Sequence, residues 1–227
     1  MEEKMELLIG NKSYSSWSLR PWILLRYFNI DFSETMLLLN GDGWKESLIK
    51  NTPTGFVPVL NVDNIQIAET IAIIEYIADR FPDFPIWPKD IKQRALARAA
   101  SAEMHAGFMK IRNAAPMNLR QTFPNRVDID EIQSDLDRIE NLWGQLLEKS
   151  NGSFLFGEFC AADAMFAPLA TRLKTYHLPI SKNIAQYVDN IHNLSAFIEW
   201  KDAALKEKWI VEEDEIDFIQ GINDKPN

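Results

Sequence analysis

The 227-residue chain contains one cysteine, Cys160, and no apolar run approaching the roughly 20 residues that span a bilayer. One thiol cannot form an internal disulfide, which excludes a disulfide-stapled secreted scaffold and agrees with a reducing compartment. The opening residues MEEKMELLIG begin acidic and lack the basic, apolar and small-residue order of a signal peptide, so a cytoplasmic protein is expected. Positive charge is scarce as well. Lys plus Arg number 24 against 33 Asp plus Glu, a net charge of −9. An acidic surface repels phosphate backbones and anionic lipid, which makes nucleic acid and membrane poor candidate partners. Hydrophobic residues nevertheless make up 46% of the chain, enough for a large core and too many for a disordered chain.

The chain has two textures. Within the first 80 residues, short apolar runs alternate with helical patterns. Met5 to Ile9, Thr35 to Leu39, Val57 to Val62 and Ile65 to Ala68 read as strands, with Asp63-Asn64 as a tight turn. Ser18 to Tyr27 reads as a helix capped by Ser18, with Pro21 tolerated in its first turn. Asp42 to Lys50 is a short helix or loop, and Glu69 to Arg80 carries Ile71, Ile74 and Ile77 or Ala78 at helical spacing. The order β-α-β-α-β-β-α describes a small α/β domain with a mixed sheet, residues 1–80. Residues 81–90, FPDFPIWPKD, hold three prolines and read as an extended linker. Residues 91–227 are then a helical domain. One helix is expected from Arg94 to about Ala114. In another, Ile129, Ile132, Leu136, Ile139, Trp143 and Leu146 step by 3, 4, 3, 4 and 3, and it stops near Asn151-Gly152. Further helices are expected at 161–175, 181–192 and 195–206. The acidic stretch 207–219, with Glu207, Glu212, Glu213, Asp214, Glu215 and Asp217 against Lys208, reads as a solvated tail.

Several chemistries are missing. There is no G-x-S-x-G elbow and no G-x-G-x-x-G, and Glu158-Phe159 follows Gly152 and Gly157 where a P-loop needs Lys and Ser or Thr. His105, His177 and His192 are scattered without a Cys pair, so no metal is expected.

Three features of the α/β half fit together. Ser15-Ser16-Trp17-Ser18 lies between the first strand and the first helix, where hydroxyls serve as caps or as donors to a ligand. Pro58, near the start of an apolar strand, is tolerated at an edge or as a cis residue, and a cis Pro58 would leave the backbone of Val57 free to pair with an extended peptide. Ala68-Glu69-Thr70 opens a helix, where N–H groups and a Thr hydroxyl favour a carboxylate while Glu69 holds an ammonium. Together they describe a site for a short peptide with a free amino-acid end and a reactive group near Ser15.

On these residues the sequence resembles a cytosolic glutathione S-transferase. Val57-Pro58 matches the family's cis-proline motif, and Glu69-Thr70 its Glu/Gln-Ser/Thr pair. Ser15-Ser16-Trp17-Ser18-Leu19-Arg20 is similar to the zeta-class loop Ser-Ser-Cys-Ser-Trp-Arg, and Thr52-Pro53-Thr54-Gly55-Phe56-Val57-Pro58 to that class's Asn-Pro-x-x-x-Val-Pro. Phe156 to Asp163 resembles the Gly-x-x-Ser/Thr-x-x-Asp capping segment of the helical domain. The resemblance implies a thioredoxin-like domain joined to an all-α domain. It implies glutathione as co-substrate, bound through Ser16, Val57, Pro58, Glu69 and Thr70, with Ser15 as thiolate donor and Ser16 as the alternative. A homodimer is also implied. Two departures stand out: Trp17 replaces the zeta-class Cys, and Cys160 replaces the Ser or Thr cap. Asp163 is then expected to carry the cap, at about 0.5–2 kcal/mol.

Conjugation needs thiolate. A free thiol of pKa about 8.5 is only ~3% ionised at pH 7. Lowering its pKa by ~2 units requires about 2.7 kcal/mol of preferential thiolate stabilisation. A charge-assisted bond from a Ser hydroxyl supplies about 1.5–3 kcal/mol and the helix N-terminus about 0.3–1, so neither a metal nor a general base is required. An apolar electrophile should lie between the domains, touching Trp17 and the face of the first long helix carrying His105, Phe108 and Arg112. Arg20 adds positive potential or is a surface residue. Three activities fit: transfer of glutathione to an apolar electrophile, as in detoxification; cis–trans isomerisation of a maleyl-type diketo acid, with Arg20 and Arg112 as its anion pocket; or a non-catalytic binding module.

Overall fold

The computed structural model describes residues 4–216, so Asp217 and the remainder of the acidic stretch lie outside the described residues. β1 (Met5–Ile9), apolar except for Glu6, takes an interior position in a four-stranded sheet of order β2-β1-β3-β4. β2 (Ser33–Met36) runs parallel to β1, while β3 (Val59–Val62) and β4 (Ile65–Ala68) complete an antiparallel ribbon, with Leu7 opposite Leu60. The turn Asp63-Asn64 joins β3 to β4, and Asp63 takes φ 48°. Three helices belong to this half: α1 (Ser16–Tyr27), α2 (Trp44–Asn51) and α3 (Thr70–Arg80). The second half is built from α4 (Ile91–Ala106), α5 (Met109–Ala114), α6 (Ile129–Lys149), α7 (Ala161–Thr175), α8 (Lys182–His192) and α9 (Ser195–Ala204), followed by one 3-10 turn at Glu212–Asp214. This is the expected α/β half with a mixed sheet, followed by the expected helical half.

α7 is the pillar. Every residue from Ala161 to Leu173 is buried, because Ala at five of those positions lets α1, α4 and α8 approach closely. Its start is held by Asp163. One carboxylate oxygen accepts the N–H of Cys160, and the other accepts the N–H of Leu155 and the hydroxyl of Tyr187.

The structure corrects several expectations. β2 begins two residues before the expected strand, and Val57-Pro58 lies outside β3. α1 starts at Ser16 rather than Ser18, and the Ser18 hydroxyl is not its cap. The linker 81–90 is not extended. It turns through an Ile86 N–H bond to the carbonyl of Phe84, and Ile86 and Trp87 anchor it in the core. The helix expected over 94–114 is two helices. Gly107 ends α4, where a Cβ would meet the carbonyl of Glu103 at 2.8 Å, and Phe108 turns the chain at φ 57°. Arg112 bridges the break by donating to the carbonyls of His105 and Gly107. His105, Phe108 and Arg112 therefore do not share one helical face.

Asp163 does more than cap. Burial pushes its carboxyl up to about 6, against about 3.9 in an unfolded chain. Its contribution to stability is fully present below about pH 4 and is lost as pH rises through about 6. Asp163→Ala leaves three buried donors unpaired, so at pH 7 it should cost on the order of 3 kcal/mol. At pH 4 the cost should be larger by on the order of 2 kcal/mol, because the native carboxyl is neutral there. Urea unfolding at both pH values checks this; an equal cost at the two would contradict it.

Candidate functional site

The site begins where β1 ends. Gly10 to Ser15 form a tight turn in which the carbonyl of Asn11 accepts the N–H groups of Tyr14 and Ser15. Ser15 then stands as N-cap residue of α1, without capping it through its side chain. Its buried hydroxyl lies 2.7 Å from the hydroxyl oxygen of Ser18. The first turn of α1 begins at this point, a positive helix end close to Ser15 and Ser16.

Two cavities meet at this loop. The larger, of about 620 Å³, is lined by Ser15, Ser16, Trp17, Met109, Arg112 and Arg172, among others. The smaller, of about 450 Å³, is lined by Trp17, Val57, Pro58, Glu69 and Thr70 together with Thr54 and Phe56. Trp17, Thr54, Phe56 and Val57 belong to both, so the cavities share a wall. The peptide bond between Val57 and Pro58 is cis. Glu69 precedes α3 with φ 79° and an exposed carboxylate, while the buried Thr70 hydroxyl donates to the Trp17 carbonyl at 3.4 Å. The two ends of the expected peptide site are thus joined through Trp17.

Of the three residues expected to meet the second substrate, Trp17 and Arg112 line the larger cavity. His105 is not among the lining residues of either cavity. It packs behind Trp17, ring centroids 5.1 Å apart, with Nδ1 3.7 Å from a Glu69 carboxylate oxygen. Ser16 lines the larger cavity rather than the smaller, and its hydroxyl makes no hydrogen bond among the described residues.

Positive charge is concentrated here despite the acidic whole. Arg20 is completely buried, not on the surface, and donates to the carbonyls of Met165 and Ser16, with its guanidinium 4.1 Å from the Trp17 ring centroid. Arg112 lies 5.0 Å from the same ring. Burial lowers the pKa of Arg20 well below its usual value, and the charges of Arg172 and Arg112 add to this. Arg172, on α7, is brought down to about 10 by burial and then by Arg112, with Asp214 opposing. All three remain cationic at neutral pH. The sequence reading missed Arg172. Its signal was a lone cation inside the apolar run of residues 164–173, where no solvated face exists to hold it.

The acidic stretch is not a solvated tail where it is described. Glu207 accepts the N–H groups of Lys12 and Ser13, and buried Glu215 accepts the Tyr14 hydroxyl. Val211 and Asp214 line the larger cavity. Trp200 donates to the Lys12 carbonyl, and Ser13 donates to that of Ala204. The end of the described chain therefore clamps the turn that carries Ser15. Because Tyr14 is bonded to Glu215, its hydroxyl is engaged away from Ser15.

Residues 14–80 match the family model described as glutathione S-transferase, N-terminal domain. A protein named glutathione S-transferase 1 from Dianthus caryophyllus is 32% identical over 117 residues, 51% of this chain and about half of that relative's length, 52%. A probable maleylacetoacetate isomerase from Caenorhabditis elegans is 28% identical over 194 residues, covering 82% of this chain and 88% of that protein. A crystal structure of a glutathione transferase homologue from Burkholderia, with bound glutathione, superposes with a TM-score of 0.71 at 21% identity, over 90% of this chain and 100% of that one. This last likeness shows the fold.

The clamp is measurable. Tyr14→Phe removes the donor to the buried Glu215 carboxylate and should cost about 1.5–3 kcal/mol. Urea unfolding of the variant at pH 7 checks this, and an unchanged midpoint would show that the bond does not stabilise the turn.

Proposed function

We propose, from the glutathione S-transferase N-terminal domain matched by residues 14–80 and the likeness to relatives of that family, that the chain is a glutathione S-transferase that binds glutathione, holds the thiol as thiolate and conjugates it to an apolar electrophile. Glutathione is assigned to the smaller cavity, its γ-glutamyl amine on Glu69, its carboxylate at Thr70 and the head of α3, and its cysteinyl backbone along Val57-Pro58. Its sulfur is assigned to the wall between the cavities, with Ser15 as donor and Ser16 beside it. The observation that carries this reading is the buried Ser15 hydroxyl at the mouth of α1, on the rim of a cavity that shares its wall with the Pro58–Thr70 cavity. The thiol proton leaves to solvent. The thiolate then attacks an electrophile held against Trp17, Met109 and Arg112.

A second reading has its own observation. Arg112 and Arg172 line the larger cavity together, which suits a substrate with a carboxylate. That favours isomerisation of a maleyl-type diketo acid, with Arg172 taking the part expected of Arg20. His105 is then assigned to supporting Trp17. We also infer a homodimer, supported by Phe56, Ile91 and Leu96, which are 74%, 70% and 57% exposed in one chain. The domain division is placed within 81–90 and the protein in the cytoplasm, the latter on the unpaired buried Cys160.

The test is retention on immobilised glutathione, then assay with a chromogenic aryl halide and with a maleyl diketo acid. Ser15→Ala should lower kcat/KM at pH 6.5 about 10- to 100-fold, the loss of one charge-assisted bond. Arg112→Met should raise KM for the diketo acid about tenfold and leave the aryl halide nearly unaffected. Retention without either activity would leave the binding module, and no retention would contradict the proposal.

A further inference from the structure

We propose that Ser18 is a positioning residue for catalysis, the middle of a hydrogen-bond chain running from the Gly10 N–H through the hydroxyls of Ser18 and Ser15 to the bound sulfur. The inference rests on the reading of Ser15 as thiolate donor.

The other buried serine and threonine hydroxyls on the helices of this protein share a habit of donating to a backbone carbonyl. Ser101 donates to the carbonyl of Ala97 and Thr171 to that of Ala167, each four residues back, while Thr70 donates to Trp17 and Thr175 to Asn118. Ser18 departs from it. Its oxygen accepts the N–H of Gly10 at 3.1 Å, eight residues back, and lies 2.7 Å from the Ser15 oxygen. Ser18 is completely buried, so no water substitutes for these partners.

Proton counting gives the chain its direction. A hydroxyl has one proton and two lone pairs. The Gly10 N–H fills one lone pair of Ser18. When an anion sits beyond Ser15, the Ser15 proton turns to it, and the proton of Ser18 fills the lone pair facing it on Ser15. Each bond polarises the next, so Ser15 becomes a stronger donor to a thiolate than an isolated serine. Among the described residues no hydroxyl bonds to that of Ser16, and Tyr14 is bonded to Glu215. The chain thus singles out Ser15 among the three neighbouring hydroxyls. Gly10 is part of the device: a Cβ there would lie 3.0 Å from the Ser15 oxygen and 2.6 Å from Leu39 Cδ1.

The experiment uses the full chain carrying Ser18→Ala, Ser18→Cys or Ser18→Thr. It reads glutathione affinity by calorimetry, the pKa of the bound thiol by thiolate absorbance against pH, and the pH profile of kcat/KM with an aryl halide. Ser18→Ala should still bind glutathione, with the bound thiol's pKa raised by about 0.5 unit or more and kcat/KM at pH 6.5 lowered about threefold. Ser18→Cys keeps the shape and weakens the donor, so it should shift the same way even if Ser18→Ala does not fold. Ser18→Thr keeps the hydroxyl and should stay near wild type. Folded Ser18→Ala or Ser18→Cys with an unchanged thiol pKa and profile overturns the chain while leaving glutathione binding intact. A wild-type protein that takes up no glutathione overturns the functional reading and this inference with it.

Discussion

Stabilising a thiolate with one hydroxyl requires that hydroxyl to stay where it is. A serine at a helix mouth has freely turning side chains and a loop on one side, and a shift of an ångström would remove most of its benefit. Here the loop from Gly10 to Ser15 is bonded from three directions. Asn11 holds it from within and accepts the N–H of Leu39 through its side chain. Ser18 holds the Ser15 oxygen from the helix side. The helical half holds Lys12, Ser13 and Tyr14 through Trp200, Ala204, Glu207 and Glu215. The helical half is therefore part of the proposed thiol site, although the expected glutathione contacts all come from the first 80 residues.

The same packing explains the charge at the cleft. Arg20 and Arg172 are buried and rest on backbone carbonyls and, for Arg20, on the Trp17 ring. Buried cations held this way remain available to an anion in the cavity, because carbonyl dipoles offset desolvation without cancelling the charge. In a chain of net charge −9 this is a local inversion of sign. In the proposed function it supports the thiolate and, in the larger cavity, a second anionic group. Trp17, between Arg20 and Arg112, is the residue through which the two cavities and the two charges meet.

How much of this the sequence disclosed follows from the range of each interaction. β1, β4 and α7 have the expected bounds because their signals are local: short apolar-rich runs and a cap at Cys160–Asp163. The edge strand β2 starts with polar Ser33 and Glu34, so an apolar pattern places it too late. The break at Gly107-Phe108 is set by the burial of Phe108 against Phe166, a contact that no period in the helix reveals. Ser18 looked like a cap because capping is local, whereas its partner is a backbone N–H eight residues upstream. Glu207 looked solvated because its partner, the Lys12 N–H, lies 195 residues away and is invisible to composition. Ser15, Val57, Pro58, Glu69 and Thr70 were grouped from their order along the chain, and the structure places them on the walls of two adjoining cavities.

The most direct measurement of the central claim is the number of protons released when glutathione binds. A free thiol is ~3% ionised at pH 7, and one held about 2 units lower is about three-quarters ionised. Titration calorimetry at pH 7 in two buffers of different ionisation heat should then give about 0.7 proton released per glutathione, and none with S-methylglutathione, which has no thiol proton. Binding of glutathione with no proton release would contradict the account.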